Sequence, residues 1–131
     1  MPVKTNVQIK ALGYVIVYVK DAKKALPFYK DTLGMKVKSD DGGWVELELG
    51  QTTLALHEDK EFKPVTTEKQ VLPVFYVEDF FGTYESLKEG GVKFLHDPVQ
   101  VCEAGPNKAG MSAEFKDSDG NFLSIFGIVT K

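Results

Sequence analysis

The chain has 131 residues, about the size of one ordinary domain, and is long enough to bury a core without a disulfide or metal staple. It is 43% hydrophobic and 27% charged, with a net charge of −3, lysines interleaved with acids and a single cysteine, Cys102. That profile excludes an intrachain disulfide, gives no electrostatic footprint for nucleic acid, and fits a reducing cytoplasm.

Residues Met1 to Lys10 carry scattered charge without an apolar core and do not read as a signal peptide. The longest apolar stretch, Ala11 to Val19, is half of what a membrane helix needs, so no membrane partner is expected. Tyr14-Val-Ile-Val-Tyr-Val-Lys-Asp21 then begins an internal repeat. It matches Leu72-Pro-Val-Phe-Tyr-Val-Glu-Asp79 position by position, 58 residues later. Each copy predicts a strand rich in β-branched and aromatic residues, ended by an Asp suited to cap a helix. The helices are predicted over Ala22 to Leu33, stopped by Gly34, and over Phe80 to Lys88, stopped by Gly90 and Gly91. Pro27 should kink or loosen the first of them.

Three strands are predicted after each helix: Lys36 to Ser39, Trp44 to Leu49 and Thr53 to Glu58, then Val92 to Leu95, Met111 to Lys116 and Phe122 to Ile128. Gly42-Gly43 and Asp119-Gly120-Asn121 are turns. Thr66 to Gln70 is polar and separates module one (about 11–65) from module two (about 70–129). Pro98 to Gly110, with two prolines and two glycines, reads as a mobile loop. The expected fold is α+β, a single domain over residues 1–131 made of tandem βαβββ modules in a curved mixed sheet around a cup. Alternation sends Val15, Val17 and Val19 beneath the helix and Tyr14, Ile16 and Tyr18 to the other face, with Leu72, Val74 and Tyr76 as their repeat counterparts.

The run from Tyr14 to Gly34 resembles the opening signature of the vicinal oxygen chelate superfamily, which includes glyoxalase I, extradiol dioxygenases and bleomycin-resistance proteins. Phe115-Lys-Asp-Ser-Asp-Gly-Asn-Phe-Leu-Ser-Ile-Phe126 is similar to its last hairpin. The resemblance spans about Leu12 to Ile128 and implies the βαβββ pair, but one scaffold hosts many activities. It also implies up to four metal ligands, on the first and last strand of each module. Here those positions fall on Tyr14, Leu72, His57 and Ser124, with His57 and Ser124 read as equivalent places in the two repeats and free to face one another.

Of these only His57 is a good metal ligand: Leu72 donates nothing, Ser124 is a weak neutral donor, and an ordinary tyrosine ionises only near about pH 10. The expectation is therefore a cup without a cofactor, holding an aromatic or amphipathic molecule on Tyr14, Tyr18, Trp44, His57, Leu72, Tyr76, Ser124 and Phe126, in a homodimer. The competing expectation is a glyoxalase-type lyase or dioxygenase with a divalent metal on His57, Glu46, Glu48 and Glu114. These glutamates otherwise read as a solvated strand face. His96 and Cys102 receive no role. Pairing of the modules within one chain or across two is left open.

Overall fold

A computed structural model describes residues 8, 10–64, 66 and 70–131. The reading of the first ten residues and the boundary placed at Thr66 to Gln70 fall largely outside these described residues. The chain forms β1 (Tyr14–Val19), α1 (Ala22–Pro27), a π-helical turn (Phe28–Thr32), β2 (Val37–Asp40), β3 (Trp44–Leu49) and β4 (Thr52–Glu58). The second module supplies β5 (Val74–Tyr76), α2 (Phe80–Glu89), β6 (Val99–Gly105), β7 (Lys108–Lys116) and β8 (Phe122–Thr130).

Two four-stranded mixed sheets result, in the orders β1-β4-β3-β2 and β5-β8-β7-β6. In each, the last strand returns between the first and third, parallel to the first and antiparallel to the third. The α+β tandem expectation therefore holds. The Asp residues that close the repeated strands cap the helices: Asp21 Oδ1 accepts from the Lys24 amide at 3.2 Å and Asp79 Oδ1 from the Gly82 amide at 3.1 Å. Pro27 has no N–H to continue the ladder. Beyond it the helix widens, and the Leu33 amide donates to the Phe28 carbonyl five residues back.

The strand phase also follows the alternation. Val17 and Val19 are buried under α1, whereas Tyr14, Ile16 and Tyr18 are 51%, 44% and 44% exposed on the opposite face. A slip of one residue would have inverted every one of them.

The segment after α2 departs from expectation. Val92 to Leu95 is not a strand; it makes a single bridge, Phe94 to Phe115, and one further bond from the Leu95 amide to the Glu114 carbonyl. The stretch read as a loop instead contains β6, which pairs with β7 from Val99↔Ser112 to Gly105↔Lys108. Pro98 has no amide to donate and interrupts this edge once, between the bridge and β6. Pro106 and Asn107 make the tight hairpin end, with Gly105 and Asn107 both at positive φ. The prolines and glycines there are turn chemistry, not looseness.

The helix-facing sides of both modules share one core, including Val19, Tyr29, Leu47, Leu54, Leu56, Phe80, Phe115 and Leu123. Polar ties join the modules within the chain. The Tyr29 hydroxyl donates to Asp117 Oδ2 at 2.6 Å, the Asn121 amide to the Tyr18 carbonyl at 2.9 Å, and the Lys20 amide to Asp119 Oδ2 at 2.8 Å. All three acceptors or donors of the second module lie in one turn, 117–121.

Candidate functional site

The face of each sheet turned away from the helices forms a small grid. In the first module the rows across β1, β4 and β3 are Tyr18-His57-Trp44, Ile16-Ala55-Glu46 and Tyr14-Thr53-Glu48. Ala55 is the centre. It is fully buried although its side chain points to the open face, so its larger neighbours fold over it. The Trp44 and Tyr14 rings, at opposite corners, approach to 6.2 Å. His57 lies between Tyr18 (ring centroids 5.3 Å) and Trp44 (5.2 Å, edge-on). The indole N–H of Trp44 donates to Glu46 Oε2 at 2.9 Å, which fixes the ring over the sheet and anchors a half-buried carboxylate. Lys38 donates to the Thr53 hydroxyl at 3.1 Å.

In the second module the equivalent rows are Tyr76-Phe126-Ser112 and Val74-Ser124-Glu114. Ser124 is 1% exposed, and its hydroxyl lies 3.1 Å from that of Ser112 and 3.2 Å from the Ala113 carbonyl, so its neighbours satisfy it. Glu114 meets His96 Nε2 at 3.1 Å, while His96 Nδ1 lies 2.7 Å from the Asp97 carbonyl. Both partners of the imidazole are acceptors, so the doubly protonated ring suits the site. The carbonyl of Asp97 is the largest influence and raises the His96 pKa above 6.5; burial opposes it, and the Glu114 carboxylate adds to the rise.

The registers revise one equivalence. Ile16 pairs with Ala55 as Val74 pairs with Ser124, so the counterpart of Ser124 is Ala55, and that of His57 is Phe126. His57 and Ser124 are therefore not repeat partners. Their contacts differ too, with His57 against Tyr18 and Trp44 and Ser124 against Ser112. The correspondence of Glu46 with Glu114 does hold, since each lies opposite those central residues.

The structure thus gathers Tyr14, Tyr18, Trp44 and His57 on the first sheet. Tyr76, Ser124 and Phe126 lie on the second, with Leu72 half-buried just before β5. Glu46, Glu48, Glu114 and His57 are not drawn into one group: among the described residues, no three His, Cys, Asp or Glu side chains are placed to hold a metal ion.

A cleft of about 250 Å³ runs along the seam between the modules, lined by Ile16, Tyr18, Phe62, Val71, Pro73 and Phe122. Tyr18 belongs to both the cleft and the aromatic grid. Sequence alternation singles out Ile16 and Tyr18, but the cleft follows the edge of β1 and also takes in Val15 and Val17 from its other side. Phe62 and Val71 come from the inter-module connection, where no periodicity marks an inward side chain.

Comparison with known proteins agrees with this geometry. The chain is 35% identical over 124 residues to the uncharacterized protein YetH of Bacillus subtilis, covering 89% of this chain and 98% of that one. An integron cassette protein from V. cholerae superposes with a TM-score of 0.71 at 26% identity, over 94% of this chain and 98% of its own. A lactoylglutathione lyase from Agrobacterium tumefaciens shares the fold, with a TM-score of 0.70 at 19% identity, over 91% and 94% of the two chains. No helix among the described residues is long and apolar enough to cross a membrane. With the family's sequence model matching residues 11–125, the chain belongs to the Glyoxalase/Bleomycin resistance protein/Dioxygenase superfamily.

Proposed function

We propose that this protein binds a small aromatic or amphipathic organic molecule on its open sheet faces and in the adjoining seam, without a resident metal. The observation that carries the reading is what occupies the two grid centres. Ala55 and Ser124 stand there, one with no donor atom and the other with its hydroxyl already bonded to its neighbours. Tyr14 and Leu72, at two further ligand positions of the family, add no ready donor, which leaves His57 alone, and a single imidazole does not make a site for a divalent cation. What surrounds these centres is ring surface with a few polar handles, the composition of a small-molecule site.

The protein is further proposed to act as a homodimer. Tyr14, Ile16, Tyr18, Val74 and Tyr76 are each 44–63% exposed on the open faces, the kind of apolar surface that a partner covers. A second copy covering part of these faces would enclose the binding surface.

A melting screen against a library of aromatic amphiphiles tests the binding reading. A ligand at a hundred times its Kd adds about 2.7 kcal/mol, a shift on the order of ten degrees in a domain this size. Tyr18→Ala should abolish the shift, because Tyr18 lines both grid and cleft, while Lys108→Ala in the β6–β7 hairpin should not. Stoichiometric transition metal in protein purified without added metal would overturn the reading, as would hits that ignore the Tyr18 change.

A further inference from the structure

We propose that the molecule bound here is an organic cation, an ammonium or related nitrogen cation on an apolar frame, with Glu46 as its counter-charge. The inference rests on the binding reading above and names the ligand class. Its ground is a comparison that the internal repeat supplies. Glu46 and Glu114 hold the same register position in the two modules, opposite Ala55 and Ser124. Glu114 has a basic partner inside the protein, His96 Nε2, at 3.1 Å. Glu46 has none: among the described residues the ion pairs are His96–Glu114 and Lys131–Glu103. Leu95 bonds Glu114 as Ser39 pairs with Glu46, so the place of His96 is taken in the first module by Asp40, an acid.

A half-buried carboxylate has room for several hydrogen bonds, and Glu46 receives one, from the Trp44 indole N–H. That bond directs the edge of the indole to the carboxylate, with the part-exposed ring beside it. Tryptophan gives the strongest cation–π attraction, and the Tyr14 and Tyr18 rings stand on the same grid. The other charged groups there are Glu48, exposed on the same strand, and Lys38, whose ammonium is engaged by Thr53. His57 is stacked between rings. The face carries two carboxylates against one ammonium, so an anion entering it meets a net negative charge, and a cation meets in Glu46 a carboxylate without an ion-pair partner among the described residues. The apolar frame would extend past Tyr18 into the seam cleft.

Trp44 is the only tryptophan, so its fluorescence reports directly from the site. Three probes of one frame separate charge from shape: phenylbutyl-trimethylammonium, phenylbutanol and phenylbutyrate, titrated against the full chain with calorimetry in parallel. The cation should bind about tenfold or more tighter than the alcohol, with the carboxylate weakest, and the preference should shrink as salt rises. Glu46→Gln, which keeps an acceptor for the indole, should bring the cation down to the level of the alcohol and leave the alcohol unchanged. Glu114→Gln should leave the preference intact. If the alcohol or carboxylate binds as tightly as the cation in the wild-type chain, the cation assignment falls and the binding reading stands. A folded Glu46→Gln variant that keeps the preference overturns the assignment equally. Binding by none of the three, while other neutral amphiphiles raise the melting point at Tyr18, also overturns it. No ligand of any charge in probes or library removes both readings.

Discussion

Tyr29 and Asp117 show how much one buried contact carries. Tyr29 is fully buried in the π-helical turn, and its hydroxyl bonds that turn to the second module. Burial, then the Asp117 charge, pushes the phenol far above its ordinary range, so it stays a neutral donor at every accessible pH. Asp117 is itself 6% exposed and spends both oxygens, accepting from the amides of Asp119 and Asn121 and the Asn121 side chain. Tyr29→Phe should therefore cost about 1–3 kcal/mol in chemical denaturation, and Asp117→Ala more, because it strands several donors at once. His96 is a different case, because its part-exposed side chain lets solvent screen the contact with Glu114. Its folded pKa is raised, so its contribution is complete below about pH 6.5 and is lost as pH rises through the folded value. The melting temperature should fall by about one to three degrees across that window, and His96→Gln should flatten the fall. Neither pairing was legible in the sequence. Both join residues brought together by tertiary packing, and in the sequence His96, just before Asp97-Pro98, reads only as a strand-end residue.

Among elements, those with clean alternation were legible and those decided by backbone chemistry were not. Trp44 to Leu49 runs as read, because its burial alternates along one buried and one open face. Thr53 to Glu58 was placed within one residue, yet the equivalence drawn from it missed by two, since the repeat was anchored at Asp21 and Asp79 and said nothing of the register between β1 and β4. β6 was hidden because composition weighs Pro98, Gly105 and Pro106 as breakers, whereas an edge strand tolerates a proline at its start and needs turn residues at its end. Gly127 illustrates the same limit in β8. A Cβ there would stand 2.8 Å from the Val77 carbonyl oxygen and 2.9 Å from Phe80 Cβ. The first is backbone and the second begins α2, so neither can swing aside. Gly127→Ala should destabilise by about 1–3 kcal/mol in urea, through overpacking where α2 meets its sheet. Gly43→Ala is the control: its Cβ would meet only Glu58 Cβ at 3.6 Å, an ordinary contact, and should change stability by less than about 0.5 kcal/mol.

For the whole molecule, the repeat explains both what is shared and what diverged. The modules keep strand order, capping aspartates and the paired glutamates, which is why the fold was readable from two matching segments. Their open faces differ. The first is aromatic, with an acid that has no ion-pair partner among the described residues, and the second carries paired serine hydroxyls and an acid bonded to His96. The common core and the 117–121 turn join the modules inside one chain, so an open face is not spent on holding the halves together. That leaves apolar side chains such as Val74 and Tyr76 53% and 63% exposed. If a second copy covers them, the protein should run as a dimer by light scattering at tens of micromolar, and its melting point should rise with concentration. Val74→Asp, on the second sheet and away from Glu46, should dissociate that dimer because it would bury an unpaired charge. It should leave the circular dichroism of the monomer native, since Val74 contributes nothing to the shared core. A wild-type chain that stays monomeric throughout that range would remove the dimer, and would leave the aromatic face of the first sheet open to its ligand from solvent.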